Sequence, residues 1–335
     1  MLLYDGLRDR INHAPGVWSI SRCPTLGCGL MWLNPMPMEE DIREAYRTYY
    51  THGVEPTVPG DEMRQFIGAD FRKPGLLRRL LPPLGMATAY LASEFSYADR
   101  ALPWRRLLRY GLYLQPFRAR DLARSIGYLQ ARPGGVLLDV GCGDGQFLTL
   151  MRGLGWSVEG VDVDERAVAN ARKRGLKIHC GRPHDIGFAD NSFHAIVLNH
   201  VLEHVHDPER LLRECHRMLR RDGQLRVFVP NAGALGRQRF GRNWGGLDPP
   251  RHLYHFTART LRELGMRAGF RLSVRASSAI DRYLYRASYA LSSQRQMRDS
   301  VWSKLRLWAI DCRDSLAILV GRDWGEELVL LGEKG

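Results

Sequence analysis

The chain has 335 residues, 44% of them hydrophobic and 25% charged, which is globular composition and excludes a disordered or collagen-like chain. No apolar run reaches the ~18 residues that a membrane-spanning helix needs. The net charge of +13 points to an anionic partner or to compositional bias, since only five of the 49 basic residues are lysine and the arginines run along the whole chain.

Residues 1–60 are irregular, with Cys23 and Cys28 bracketing a short turn. The other cysteines, at 142, 180, 215 and 312, add no compact even-spaced framework, so reduced thiols and a cytosolic protein are expected. The start, Met1 to Arg8, has no basic stretch followed by an apolar one, so no secretory signal is expected. Residues 61–130 mix arginine with leucine and aromatics, as in Leu76–Leu81 and Trp104–Tyr110. Such stretches fit a helical lid or linker whose arginines reach past their apolar stems, or helices lying on a membrane surface.

Residues 131–232 alternate strand and helix signals. Val136–Val140, Ser157–Val161, Lys177–His179, Phe193–Leu198 and Gln224–Val229 are predicted strands, the last preceded by an Asp222-Gly223 turn. Gln146–Leu154, Glu165–Arg174 and a segment capped by Asp207-Pro208 are predicted helices. Alternation of this kind gives a parallel, doubly wound α/β sheet with ligands beyond the carboxyl ends of its strands. Residues 233–335 hold a loop, a helix with Thr257 as its N-cap, a strand, the arginine-rich stretch Trp302–Leu319 and a final strand.

The loop after the first core strand is Gly141-Cys142-Gly143-Asp144-Gly145, preceded by Asp139. Glycine permits positive φ and close approach of a ligand to the backbone, and the helix that follows has free N–H groups at its start. Asp162 closes the second core strand, 23 residues after Asp139, where a carboxylate can accept both hydroxyls of a ribose. The spacing G-x-G-x-G differs from the G-x-G-x-x-G of dinucleotide enzymes, so a nicotinamide oxidoreductase is a rival reading only.

With Asn199-His200-Val201-Leu202-Glu203-His204-Val205-His206-Asp207-Pro208 and Val229-Pro230-Asn231, this core resembles the class I S-adenosylmethionine (SAM)-dependent methyltransferases, in the branch of the ubiquinone-type O-methyltransferases. The resemblance implies a Rossmann-like seven-stranded sheet, mostly parallel with the last strand antiparallel, and SAM as cofactor. It implies contacts to SAM from Asp139, Gly141, Cys142, Gly143 and Gly145 around the methionine part, Asp162 and Val163 at the ribose, and Asn199 and His200 beside the sulfonium. Adenine recognition would fall on Asp185, because Arg182-Pro183 departs from the family pattern and proline lacks an N–H. Residues 22–37 resemble one knuckle of the zinc ribbon that precedes some of these enzymes. The other knuckle is absent and the spacing is C-x4-C, so a metal-free β remnant is expected.

A methyl acceptor that is a hydroxyl or protonated amine calls for a general base, and His200, His204 and His252 are the candidates. Glu203 and His204 also fit a purely structural pair. The segment 244–256 should form the substrate side, with Trp244, Asp248, Arg251, His252 and His255 as candidates and Arg251 as a clamp for phosphate or carboxylate. A packed loop ordering the next helix is its alternative. The sequence thus predicts a SAM-dependent methyltransferase acting on a small, sugar-linked or lipid-linked molecule, with oxygen favoured as acceptor atom and peripheral contact with the inner membrane surface left open. An RNA methyltransferase, supported by charge alone, and a non-catalytic SAM-binding module are the rivals.

Overall fold

The computed structural model describes residues 1–46, 90–91, 94–97, 116–293, 297 and 300–335. The stretches 76–81 and 104–110, expected to form a lid or a membrane-lying helix, fall outside the described residues. The chain divides into two compact units. The first takes residues 1–56, 198–217 and 227–335, and the second takes 57–197 and 218–226.

The first unit begins with three short antiparallel strands, β1 (Leu2–Leu7), β2 (Trp18–Arg22) and β3 (Met31–Leu33), followed by the helical turn α1 (Ile42–Tyr46). The residues resembling a ribbon knuckle are not a free-standing module. Their strand β3 pairs with β9 (Tyr254–His255), Met31 opposite His255, which completes a four-stranded sheet. Leu7, Ile20, Met31 and Leu33 from these strands pack with Trp244, Leu247 and Leu253 in one apolar cluster. Burial of large side chains, each contributing about 1.5–3 kcal/mol, is what holds so short a sheet.

The second unit carries the helix α2 (Pro116–Ser125) and then the predicted alternation: β4 (Val136–Val140), α3 (Gln146–Gly153), β5 (Ser157–Asp162), α4 (Glu165–Lys173), β6 (Lys177–Cys180), the short α5 (Pro183–Ile186) and β7 (Phe193–Asn199). β4 and β5 run parallel with Val140 opposite Val161, and β5 and β6 run parallel with Asp162 opposite Cys180. The chain then continues through α6 (Pro208–Met218), β8 (Leu219–Pro230), α7 (Leu235–Phe240), α8 (Ala258–Arg267), β10 (Phe270–Ser277), α9 (Asp281–Ser293), α10 (Val301–Leu319) and β11 (Glu327–Lys334). Strand order in the seven-stranded sheet is β10-β11-β8-β7-β4-β5-β6, and β10 runs antiparallel to β11. The order reverses between β4 and β7, the switch point at which such sheets bind ligands.

Capping matches the predicted signals. The Asp207 carboxylate accepts from the Arg210 N–H at 2.9 Å, and Thr257 forms a capping box with Thr260. One boundary differs. Strand β8 begins at Leu219, directly after α6, and takes in the Asp222-Gly223 dipeptide, where the chain still doubles back. Gly223 folds against the start of its own strand, where an added Cβ would lie 2.5 Å from Leu219 Cγ.

Gly160 in β5 lacks room for any side chain. A Cβ there would stand 2.6 Å from Ile178 Cδ1, 2.7 Å from Cys142 Sγ and 2.7 Å from Leu148 Cδ1. Gly160→Ala should therefore destabilise the protein by about 1–3 kcal/mol through overpacking. Urea unfolding followed by circular dichroism measures the effect, and an unchanged midpoint would contradict the packing.

Candidate functional site

In the second unit, Gly141, Gly143 and Gly145 all adopt positive φ, at 71°, 53° and 77°. Gly145 must be glycine for a second reason, since a Cβ would meet Leu176 Cδ1 at 2.3 Å. Gly143 faces the other way, with no atom within 4 Å of where its Cβ would stand. The loop is pinned from below. The Gly141 N–H donates to Val161 O at 2.8 Å, and the Gly143 N–H donates to Asp162 Oδ2 at 2.8 Å. Asp162 Oδ1 accepts from the Asp164 N–H at 2.9 Å. A carboxylate offers about four lone-pair sites, so Asp162 keeps acceptor capacity beyond its backbone donors. Burial raises the pKa of Asp162 while the Asp164 and Gly143 N–H groups oppose the rise.

Around this loop, Asp139 is buried and Cys142 is a buried thiol whose pKa burial pushes up. Val163 is 67% exposed directly after Asp162, an apolar face without protein cover. Asp185 stands exposed on α5, with one carboxylate oxygen 3.3 Å from His184 Nε2. Open space at Gly143, the spare acceptor capacity of Asp162 and apolar Val163 together fit a ligand that is part nucleoside and part amino acid.

In the first unit, a second set of polar residues gathers after β7. Asn199 is the half-buried last residue of that strand. His200 follows in the left-handed region, φ 55°, which a non-glycine residue adopts only when its surroundings hold it there. Its Nδ1 lies 3.2 Å from Glu203 Oε1 and its Nε2 3.2 Å from Glu327 Oε1. Burial alone would lower its pKa, but the hydrogen bonds to Glu203 and Glu327 outweigh burial and lift it to about 9. His200 therefore already holds a proton at neutral pH, which corrects the expectation of a general base at this position. Burial would raise the pKa of Glu203, yet the His200 hydrogen bond and the neighbouring histidines bring it down to about 2.

His204 stands 4.7 Å, ring to ring, from His252, and His252 stands 6.1 Å from His255. Burial, reinforced by His252, lowers His204 to about 4 and His255 to about 3, so both rings are neutral. The substrate-side residues of the 244–256 segment are mostly turned inward. Trp244 is buried and donates its indole N–H to Glu326 Oε2 at 2.6 Å. Arg251 is 0% exposed. Its Nη1 donates to Asp9 Oδ2 at 2.8 Å and to Ala45 O at 3.1 Å, its Nε donates to Asp248 Oδ2 at 2.9 Å, and its Nη2 is paired with Asp248 Oδ1. The anion clamp expected at Arg251 is instead an internal brace, because both edges of the guanidinium already face carboxylates. Asp9, Glu326 and Glu327, which make these contacts, have no local sequence signature, since their partners lie far along the chain.

Residues 110–273 match the family described as "Methyltransferase domain". A protein of Mycobacterium tuberculosis named a probable SAM-dependent methyltransferase is 36% identical over 97 residues, 28% of this chain and 35% of its own length. A ubiquinone biosynthesis O-methyltransferase of Xanthomonas oryzae is 32% identical over 127 residues, 35% of this chain and 53% of its own length. The chain thus spans about half or less of the curated relatives it matches. A solved SAM-dependent methyltransferase from Mesorhizobium loti superposes with a TM-score of 0.44 at 18% identity, covering 64% of this chain and 98% of that one.

Two outcomes follow from the buried charges. Arg251→Met leaves Asp9 and Asp248 without their cation and should lower unfolding free energy by about 3–5 kcal/mol, and Arg251→Lys should not restore it. Chemical denaturation with the two variants measures this, and near-wild-type stability would return Arg251 to the substrate side. Burial, eased by the Trp244 and Gly236 hydrogen bonds, lifts Glu326 to about 7 from an ordinary 4.5. A raised carboxyl pKa contributes stability below 4.5 that is lost as pH rises through about 7. The stability of wild type relative to Glu326→Gln should therefore fall by roughly 3 kcal/mol between pH 4.5 and 8. A flat difference across that range contradicts the assignment.

Proposed function

We propose that this chain, whose residues 110–273 match the family described as "Methyltransferase domain", transfers a methyl group from SAM to a small, sugar-linked or lipid-linked acceptor, with oxygen as the favoured acceptor atom. The carrying observation is the glycine loop with its three positive φ angles, pinned to Asp162 through the Gly143 N–H at 2.8 Å. Bound SAM supplies an electrophilic methyl on sulfur. In this reading Gly141, Cys142, Gly143 and Gly145 take the methionine end against the start of α3, with Asp139 at the ammonium group. Asp162 accepts the ribose hydroxyls, Val163 covers an apolar face of the nucleoside, and Asp185 is the candidate for the adenine amine. Likeness to a ubiquinone biosynthesis O-methyltransferase supports oxygen as the acceptor atom.

The acceptor side is assigned to Asn199 and to the loop from Trp244 to His255. His200 contributes a fixed positive charge in this reading, and Arg251 and Trp244 shape the loop from within. Among the described residues no helix is long and apolar enough to cross a membrane.

Isothermal titration of SAM into wild type and Asp162→Ala tests the cofactor assignment. Wild type should bind, and the variant should bind about 10–100-fold more weakly, since hydrogen bonds to a charged group contribute about 1.5–3 kcal/mol each. Equal affinity removes Asp162 from the ribose. Absence of binding by wild type, with NAD binding in its place, overturns the reading as a whole.

A further inference from the structure

Three side chains of the first unit converge on one point. Glu203, His204 and His252 each offer a donor atom, and these atoms lie within 4.8 Å of one another. Glu203 is 1% exposed, and its Oε2 has no hydrogen-bond partner among the described residues. An ionised oxygen left in that state incurs a desolvation penalty of several kcal/mol unless something occupies its open side. His252 Nε2 is 4.0 Å from Glu203 Oε1, too long for a hydrogen bond and short enough for both atoms to share one ion.

The rings are oriented from behind. His252 Nδ1 lies 2.8 Å from Gly246 O, and His204 Nδ1 lies 3.0 Å from Arg251 O. A carbonyl oxygen can only accept, so each Nδ1 carries a proton and each Nε2 is the nitrogen that would face a metal. Histidine ligands of metal ions are commonly held this way, with the distal N–H on a carbonyl and the other nitrogen on the metal. Tyr46 Oη, 2.8 Å from His204 Nδ1, fixes that ring further. The surrounding charges suit a cation. One histidine, His200, is shared by two carboxylates, Glu203 and Glu327, and one arginine is shared by Asp9 and Asp248.

We propose that Glu203, His204 and His252 form a site for a divalent cation of the zinc class. Two imidazoles and one carboxylate are a donor set for zinc rather than for calcium or magnesium, which take oxygen donors. Metal bonds of ~2.0–2.2 Å would draw the three donors together by roughly 1 Å. The cysteines Cys23 and Cys28 take no part.

The test uses the full chain stripped with a chelator and titrated with zinc in the absence of SAM, so its outcome is independent of the methyl-transfer reading. One zinc per chain is expected. Zinc-edge X-ray absorption on wild type should show nitrogen and oxygen donors at ~2.0–2.2 Å, and sulfur at ~2.3 Å would overturn the site. Glu203→Gln and His252→Gln should each weaken zinc by about 100-fold or more, since even outer partners of metal ligands change affinity 10–100-fold. A Cys23→Ser, Cys28→Ser double variant should retain zinc with wild-type affinity. No stoichiometric zinc on wild type, or zinc lost only in the cysteine variant, refutes the proposal without relying on any variant that misfolds.

Discussion

The first unit depends on one buried guanidinium. Arg251 lies between Asp9, 242 positions before it, and Asp248, three positions before it. Burying an arginine is tolerable only when hydrogen-bonding partners replace its water, and these two carboxylates with Ala45 O do so. Around that ion triad the rest falls into order. Asp9 also accepts the N–H groups of Ile11, Asn12 and Ala14, which shapes the loop between β1 and β2. Arg251 O reaches His204, and the Leu253 N–H reaches Glu203 O at 2.8 Å. A charge interaction thus bears on the position of His204 and Glu203 in the polar cluster.

The second unit is governed by steric exclusion rather than by charge. Gly145 and Gly160 sit where neighbours would overlap any side chain, and Gly143 sits where nothing does. The difference matters. Filled surroundings at two glycines make the loop rigid and bring α3 close to β5, while empty surroundings at the third leave backbone accessible. Asp162 connects these features, holding the loop from beneath with one oxygen and its own following turn with the other.

Local signals carried most of the second unit into the sequence. Periodicity placed β4 through β7, glycine spacing placed the loop, and Asp207-Pro208 and Thr257 announced two helix starts within a residue. Other features depend on pairings that periodicity cannot register. Nothing near Asp9 or Glu327 announces a partner more than a hundred residues distant, so Arg251 reads as an open clamp and His200 as an ordinary titrating base. The Glu203-His204 dipeptide was visible as chemistry, but the backbone carbonyls that aim His204 and His252 become apparent only once the 244–256 loop is folded. Helix α10 shows the same limit, since Trp302 and Trp308 are exposed while its acids Asp311 and Asp314 are buried.

Pairing of β3 with β9 bears on how such a chain is born. The strands β1 to β3 are made well before the residues that complete their sheet, Tyr254 and His255, which come more than 200 positions later. At ordinary synthesis rates of ~5–20 residues per second, the free edge of β3 waits on the order of ten seconds or more. During that interval the second unit, whose strands β4 to β6 are contiguous in sequence, has all it needs to fold, while an unpaired edge remains open to the wrong neighbour. The edge of β3 is thus exposed for the interval between its own synthesis and that of β9, a cost of pairing strands so far apart in sequence.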